Sequence, residues 1–314
     1  MTPTRTSHKG GTHPTREGEA PPKEFFAARR PAAGNHAVAI VLGPVRVELH
    51  GLDDARARLL LDRYAPYATP ASDESQGLRV RVGLEDREYY LDPPAGPEFT
   101  AVFVTHDPPS AVRYLSYKVA GWLDVATLRG ELLLARGTWE PDLRSFENYV
   151  RVAVAWLAAA RGGALVHAAS AVWNDRAYLF YGQSGAGKST LAAANRRGRI
   201  VSDDLSLVLP RDGALDLVGS PFRGTYEGGE PVVGSFPLAA GFRLVQAEEA
   251  EVRPVPRVRG FAELVGNLPF VAEAYHRDPA LLESVERAFA RVPLAHLHFR
   301  PDDSYWDAIA RAGL

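Results

Sequence analysis

Apolar and polar positions alternate along much of the first half of the chain. Residues 36–42 (HAVAIVL) and 45–50 (VRVELH) flank a Gly-Pro break, and 78–82 (LRVRV) alternates strictly, as a half-buried strand does. REYYL (87–91), TAVFV (100–104) and ELLLA (131–135) share the aliphatic and aromatic character of strands. Helical spacing takes over in DARARLLLDRYAPYA, which Asp53 can cap. It returns in SFENYVRVAVAWLAAARGG, where Phe146, Tyr149, Val150, Ala153, Val154 and Leu157 line one face. Ser145 is the expected N-cap there and Gly162 the stop. A Pro-Pro-Ser opening predicts a third helix over 110–123 (SAVRYLSYKVAGWL). Residues 35–160 therefore form an α+β region without a chemical motif.

The pattern changes past Gly162. ALVHAASAVW and AYLFY flank Asn174-Asp175-Arg176, which predicts a hairpin with a three-residue turn. Pairing Trp173 with Ala177 would set His167 opposite Gln183. TLAAANRR is a short helix, RIVSDD a strand ending in two carboxylates, and 278–292 a further helix. In AHLHF, His296 and His298 share one face of a strand, and the arginines of 251–260 edge another. A metal pair at the histidines would need a third ligand that the sequence does not place.

Composition acts mainly by exclusion. The 314 residues allow one large domain or two smaller ones, and net charge −2 gives no basic field for nucleic acid or an anionic membrane. The absence of cysteine excludes disulfides, thiolate nucleophiles and cysteine-bound zinc, and a cytoplasmic location is expected. Residues 1–34 are rich in Thr, Pro, Gly and charge, which predicts a loose tail and no secretory signal. The most apolar stretch, 149–160, falls short of the roughly twenty residues a membrane span needs.

Chemistry concentrates in one octapeptide. Gly182-Gln183-Ser184-Gly185-Ala186-Gly187-Lys188-Ser189 fits G-x-x-x-x-G-K-[ST] throughout, between an apolar strand and a helix opening near Thr190. Glycines let backbone N–H groups turn onto phosphate oxygens, Lys188 brings a charge to the β and γ phosphates, and Ser189 contributes to a Mg²⁺ shell. ATP and Mg²⁺ are the expected cofactors. The Asp203-Asp204 pair, from a strand expected beside the loop strand, can divide two tasks: ordering the metal and accepting a proton from an attacking hydroxyl. Ser189 and Asp204 are the metal candidates. His167, at the lip of the loop, can touch the γ-phosphate or help carry the proton.

The order LVHAASAV…YGQSGAGKST…VSDD, with the hairpin ahead of the loop, resembles the catalytic domain of the HPr kinase/phosphorylase family. The likeness extends more loosely through VGSPFRG and PLAHLHFRPDDSYWDAI. It implies an α/β fold for 161–314: a mixed P-loop sheet akin to that of ATP-dependent phosphoenolpyruvate carboxykinase, preceded by the smaller α+β region. It implies phosphoryl transfer to a serine hydroxyl, with His167 as the active-site histidine and Lys188 and Ser189 on phosphate and metal. Asp204 would be the general base, with Asp203 beside it, and the chain would form oligomers. The family's E-[IV]-R-G-L-G block is missing, and SPFRGTYEGGEP stands in its place. There Arg223 is a candidate for phosphate and Glu227 for metal, although a solvent-facing loop explains both. The expectation is a kinase acting on a hydroxyl of a peptide, protein or metabolite. A nucleotide-binding regulatory protein with a degenerate site is one alternative. A small-molecule P-loop kinase, which predicts a parallel strand instead of the hairpin ahead of the loop, is the other.

Overall fold

The alternating stretches of the first half pair into one mixed sheet of eight strands in the computed structural model, which describes residues 19–28, 30–71, 76–92, 101–136, 143–226 and 228–314. Its strands are β1 (His36–Leu42), β2 (Val45–Leu52), β3 (Ala68–Pro70), β4 (Leu78–Leu84), β5 (Val102–Asp107), β6 (Ala111–Ser116), β7 (Val119–Asp124) and β8 (Arg129–Leu134). They lie in the order β3-β1-β2-β4-β8-β7-β6-β5. Helix α1 (Asp54–Arg63) follows β2, and the Asp53 carboxylate accepts the Arg56 N–H at 2.8 Å, as an N-cap should.

Three expectations are corrected in this half. The helix predicted over 110–123 is the β6–β7 hairpin, with Tyr114 facing Gly121 and Ala111 facing Asp124. Its aromatic and β-branched residues suit a pleated surface, and Val112, Tyr114, Val119 and Leu123 are all buried. Ser110, read as part of a helix start, instead donates to Asp124 at 3.0 Å beside the hairpin. REYYL forms no strand: Tyr90 is buried and its N–H donates to the Tyr117 carbonyl at 2.7 Å. The loose tail over 1–34 is corrected over its described part, 19–28 and 30–34, while 1–18 lie outside the described residues. Ala20 and Phe26 are buried in an apolar cluster with Tyr90, Leu115 and Leu133, because a short 3₁₀ turn at Lys23–Phe26 brings them there.

Helix α2 (Leu143–Ala159) joins the halves. Besides the predicted stripe, Val152, Ala155, Trp156 and Ala158 are buried too, so the second half of the helix is covered on all sides, while Arg144, Glu147, Asn148 and Arg151 keep some exposure in the first. One apolar cluster contains side chains of β2, α2 and the following strand, and the two halves share that core. Ser145 lies inside the helix and not at its cap; its hydroxyl accepts from Ser116 at 3.3 Å. Gly162, at φ +74°, ends the helix as expected.

The second sheet also has eight strands. Elements follow as β9 (Ala164–Trp173), β10 (Arg176–Tyr181), α3 (Lys188–Ala194), β11 (Arg199–Ser202), β12 (Leu205–Arg211), β13 (Ala214–Val218) and β14 (Ser235–Gln246). Then come β15 (Glu251–Pro254), α4 (Arg257–Val265), α5 (Ala272–Arg277), α6 (Pro279–Ala288), β16 (Leu294–Phe299) and α7 (Tyr305–Arg311). The β9–β10 hairpin is antiparallel, but its turn is Asn174-Asp175 alone, both at positive φ, and Trp173 pairs with Arg176. The register is thus one residue from the expected one, which moves His167 from opposite Gln183 to the level of Gly182. Strand β10 pairs in parallel with β14 on its other edge.

Behind the loop that follows β10 sits a second cluster containing Phe180, Phe242, Phe299, Tyr305 and Trp306. Helix α7 fastens the end of α3 to it: the Asn195 side-chain oxygen accepts from Trp306 Nε1 at 2.9 Å and from the Tyr305 hydroxyl at 3.2 Å. The described residues contain no helix long and apolar enough to cross a membrane.

Candidate functional site

The glycine loop runs from the end of β10 into α3. Gly187 has φ +102°, and a Cβ there would lie 2.6 Å from the Phe299 ring, so only glycine lets the chain turn this close to the apolar cluster. Gln246, at the end of β14, donates to the Gly185 carbonyl at 2.9 Å and holds the loop from outside. Lys188 is buried, and its ammonium donates to the Gly182 carbonyl at 2.9 Å. A cavity of about 330 Å³ opens before it. Ser184, Gly185, Gly187, Lys188, Ser189 and Thr190 line the cavity on one side, and His167, Asp203 and Asp204 on the other. Gly182, Gln183 and Ala186 lie instead on the outer flank of the loop, with Arg243 and Gln246.

The acidic pair arises from an interruption in pairing. β11 and β12 both run antiparallel to β9, with Ser202 opposite Ser170 and Leu205 opposite His167. Asp203 and Asp204 fall between them, outside both runs of pairing. β9 separates them from the loop strand, so they do not come from a strand beside β10, as the sequence reading supposed. They still reach the loop because only β9 intervenes, two strand spacings or about 10 Å in all. The Ser202 hydroxyl sets the break: it accepts the N–H groups of Asp204 (3.0 Å) and Leu205 (3.1 Å) and donates to the Phe222 carbonyl (2.6 Å).

The two carboxylates have unlike surroundings. Asp203 is buried and its oxygens are taken up: Oδ1 accepts Gly224 N–H at 2.7 Å, and Oδ2 accepts Thr225 and Tyr226 N–H at 3.0 Å each. Ser189 also donates to Oδ2, at 3.2 Å. Gly224 permits this approach, since a Cβ there would sit 3.1 Å from Asp204 Cβ. Asp204 is held loosely. His167 Nε2 lies 3.5 Å from its Oδ1 and Arg151 Nη1 3.6 Å from its Oδ2, both beyond a good hydrogen bond.

Electrostatics follow from burial. The His167 pKa is lowered, first by desolvation and then by Lys188, with Asp204 opposing. Its imidazole is therefore neutral near pH 7 and able to accept a hydrogen bond or a proton. Desolvation also lowers the Lys188 pKa, again against Asp204. His167 is the one residue of Ala164–Val172 that is not buried, which fits its place on the cavity wall.

Other candidates separate from this centre. Arg223 donates to the carbonyls of Gly228, Gly229 and Glu230 and so braces its own loop. Glu227 lies outside the described residues. His296 meets Glu263 at 2.7 Å, and the described residues contain no group of three or more metal-ligating side chains. Two contributors escaped the sequence reading. Ser202 precedes the acidic pair in a stretch where a serine is commonplace, and Arg151 lies in an apolar helix without a motif around it. A charge inside the most buried helix was the signal for Arg151.

No protein-family model matches the chain, and no curated protein matches it.

Proposed function

We propose that the chain is an ATP-dependent kinase that moves the γ-phosphoryl group to a hydroxyl. The observation that carries this reading is the unequal pair beside the glycine loop. Asp203 is spent on backbone N–H groups and on Ser189, whereas Asp204 keeps its acceptor capacity in the cavity. A nucleotide sensor requires the loop but has no use for a second, loosely held carboxylate. The antiparallel β9–β10 hairpin ahead of the loop favours the HPr-kinase-like reading over a separate small-molecule kinase lineage.

In this reading, backbone N–H groups on the cavity face of the loop, at Gly185 and from Gly187 to Ser189, and the Lys188 ammonium bind the phosphates. Ser189 Oγ, whose proton is held by the Asp203 carboxylate, offers a hard oxygen donor, which fits Mg²⁺, a cation that keeps water and phosphate oxygens and takes few protein ligands. Asp203 then stands behind the metal position, orienting Ser189. Bound Mg²⁺ would neutralise charge on the β and γ phosphates. Asp204 takes the proton of the attacking hydroxyl, while His167 and Arg151 orient it. The acceptor oxygen bonds to the γ-phosphorus, the bond to the β–γ bridging oxygen breaks, and ADP leaves.

Incubation with Mg-ATP and hydroxyl compounds, followed by ADP detection, tests the reading. Lys188→Ala should lower ATP affinity by about 3 kcal/mol, roughly a hundredfold, as loss of charge-assisted contacts to phosphate does. Tight nucleotide binding with no turnover on any acceptor would leave a sensor; unchanged affinity in the variant would remove the site.

A further inference from the structure

A second cavity, also of about 330 Å³, adjoins the first and lies between the two halves of the chain. Gly224 lines both cavities, and Arg151, on the wall of the second, is the ion-pair partner of Asp204 in the first. Three polar atoms of its lining are buried without a hydrogen-bond partner: the Tyr64 hydroxyl, Ser220 Oγ and Arg151 Nε. Tyr64 and Ser220 are only 3% and 2% exposed. Folded proteins rarely leave buried polar groups unpaired, and three around one space point to a ligand that satisfies them.

All three can donate. Burial raises the Tyr64 pKa, so its phenol keeps the proton. The charge of the wall agrees. Arg63, Arg151 and Arg223 line it against the single carboxylate Glu147, which pairs with Arg63 at 2.6 Å. The carbonyls that brace Arg223 leave its charge uncancelled. A cavity of donors and positive charge selects an oxygen anion.

We propose that this cavity is the acceptor subsite and that it takes a small 2- or 3-hydroxy acid. The carboxylate lies among Tyr64, Ser220 and Arg151, and the hydroxyl extends to Asp204. Arg151 serves both ends, because one guanidinium borders the orphaned group and the base. The inference rests on the kinase reading for the step that follows. The hydroxyl oxygen attacks the γ-phosphorus, its proton passes to Asp204, and ADP departs with the bridging oxygen.

The experiment separates the two claims. Isothermal titration without nucleotide measures binding of glycerate, lactate and 3-hydroxypropionate, with glycerol and 1,3-propanediol as neutral counterparts. At least one hydroxy acid should bind at least tenfold tighter than either diol, and Tyr64→Phe and Arg63→Gln should each weaken it by about fivefold to tenfold. Both changes are mild: one removes a single oxygen, and the Arg63 side chain is 54% exposed. Equal or absent binding of all five compounds, or variants that bind like the parent, would overturn the subsite. ADP release is then followed with Mg-ATP. A hydroxy acid that binds but elicits no ADP would sink the kinase reading and leave the subsite standing. ADP formed on a neutral diol without hydroxy-acid binding would do the reverse.

Discussion

Glu48 in the first sheet and Asp204 beside the second treat charge in opposite ways. In the first, carboxylates are closed off by partners: Glu48 is fully buried against Arg46 at 2.6 Å and His50 at 3.2 Å, and Asp107 grips Arg113 through both oxygens. Burial pushes the Glu48 pKa up, but these hydrogen bonds outweigh it and the net shift is downward. Beside the second sheet, Asp204 stands 3.5 Å from the His167 ring and 3.6 Å from the Arg151 guanidinium, and Lys188 rests on a carbonyl. A satisfied ion pair contributes order and does no chemistry. A carboxylate kept short of full pairing retains the lone pairs needed to receive a proton. Both sheets share one core.

The largest expected break in this contrast comes from Asp204→Asn. It should keep ATP binding and lose roughly a thousandfold in transfer rate, within the range of a positioned general base; a near-normal rate would place the base elsewhere. Next, Leu49→Ala in β2 should lower stability by about 3 kcal/mol in urea denaturation, as a fully buried leucine does, with ATP affinity unchanged. A large affinity loss there would show that the sheets are not divided in this way. Ser202→Ala is smaller: about 2 kcal/mol of stability, from the carbonyl and N–H groups left unpaired. It should also lower the transfer rate at saturating ATP, which a purely structural serine would not do.

The smallest effects are in pH. His167 has a lowered folded-state pKa, so the unfolded chain binds its proton more readily. Its contribution is present above the ordinary histidine value of 6.5 and is lost as pH falls through the depressed one. Glu48, also lowered, contributes above its ordinary 4.5 and loses that contribution at more acid pH. His298 is lowered too, so His167→Gln should reduce the fall in melting temperature below pH 6.5 without abolishing it. Identical pH profiles in parent and variant would contradict the assignment.

The sequence made the glycine loop legible because G-x-x-x-x-G-K-[ST] encodes backbone shape, and residues such as Gly187 have no substitute. Asp203 and Asp204 were found by proximity to that loop. Their division of labour was not, since it depends on Ser202 and on N–H groups some twenty residues downstream, at Gly224 and Tyr226. SAVRYLSYKVAGWL misled because its Pro-Pro-Ser opening mimics a helix start, while pairing across Tyr114 and Gly121 decided for strands. The hairpin turn slipped by one residue because Asn-Asp at positive φ suffices for a two-residue connection.

The burial of α2 has a practical consequence for dissecting this chain. A fragment beginning at Ala164 would shed Arg151 along with the helix and lay bare the apolar flanks of β9 and β12. One that kept α2 without the first sheet would expose the side of the helix that Tyr114 and Leu132 now cover. Neither cut leaves a fragment with its apolar faces covered, so the two halves are best studied together.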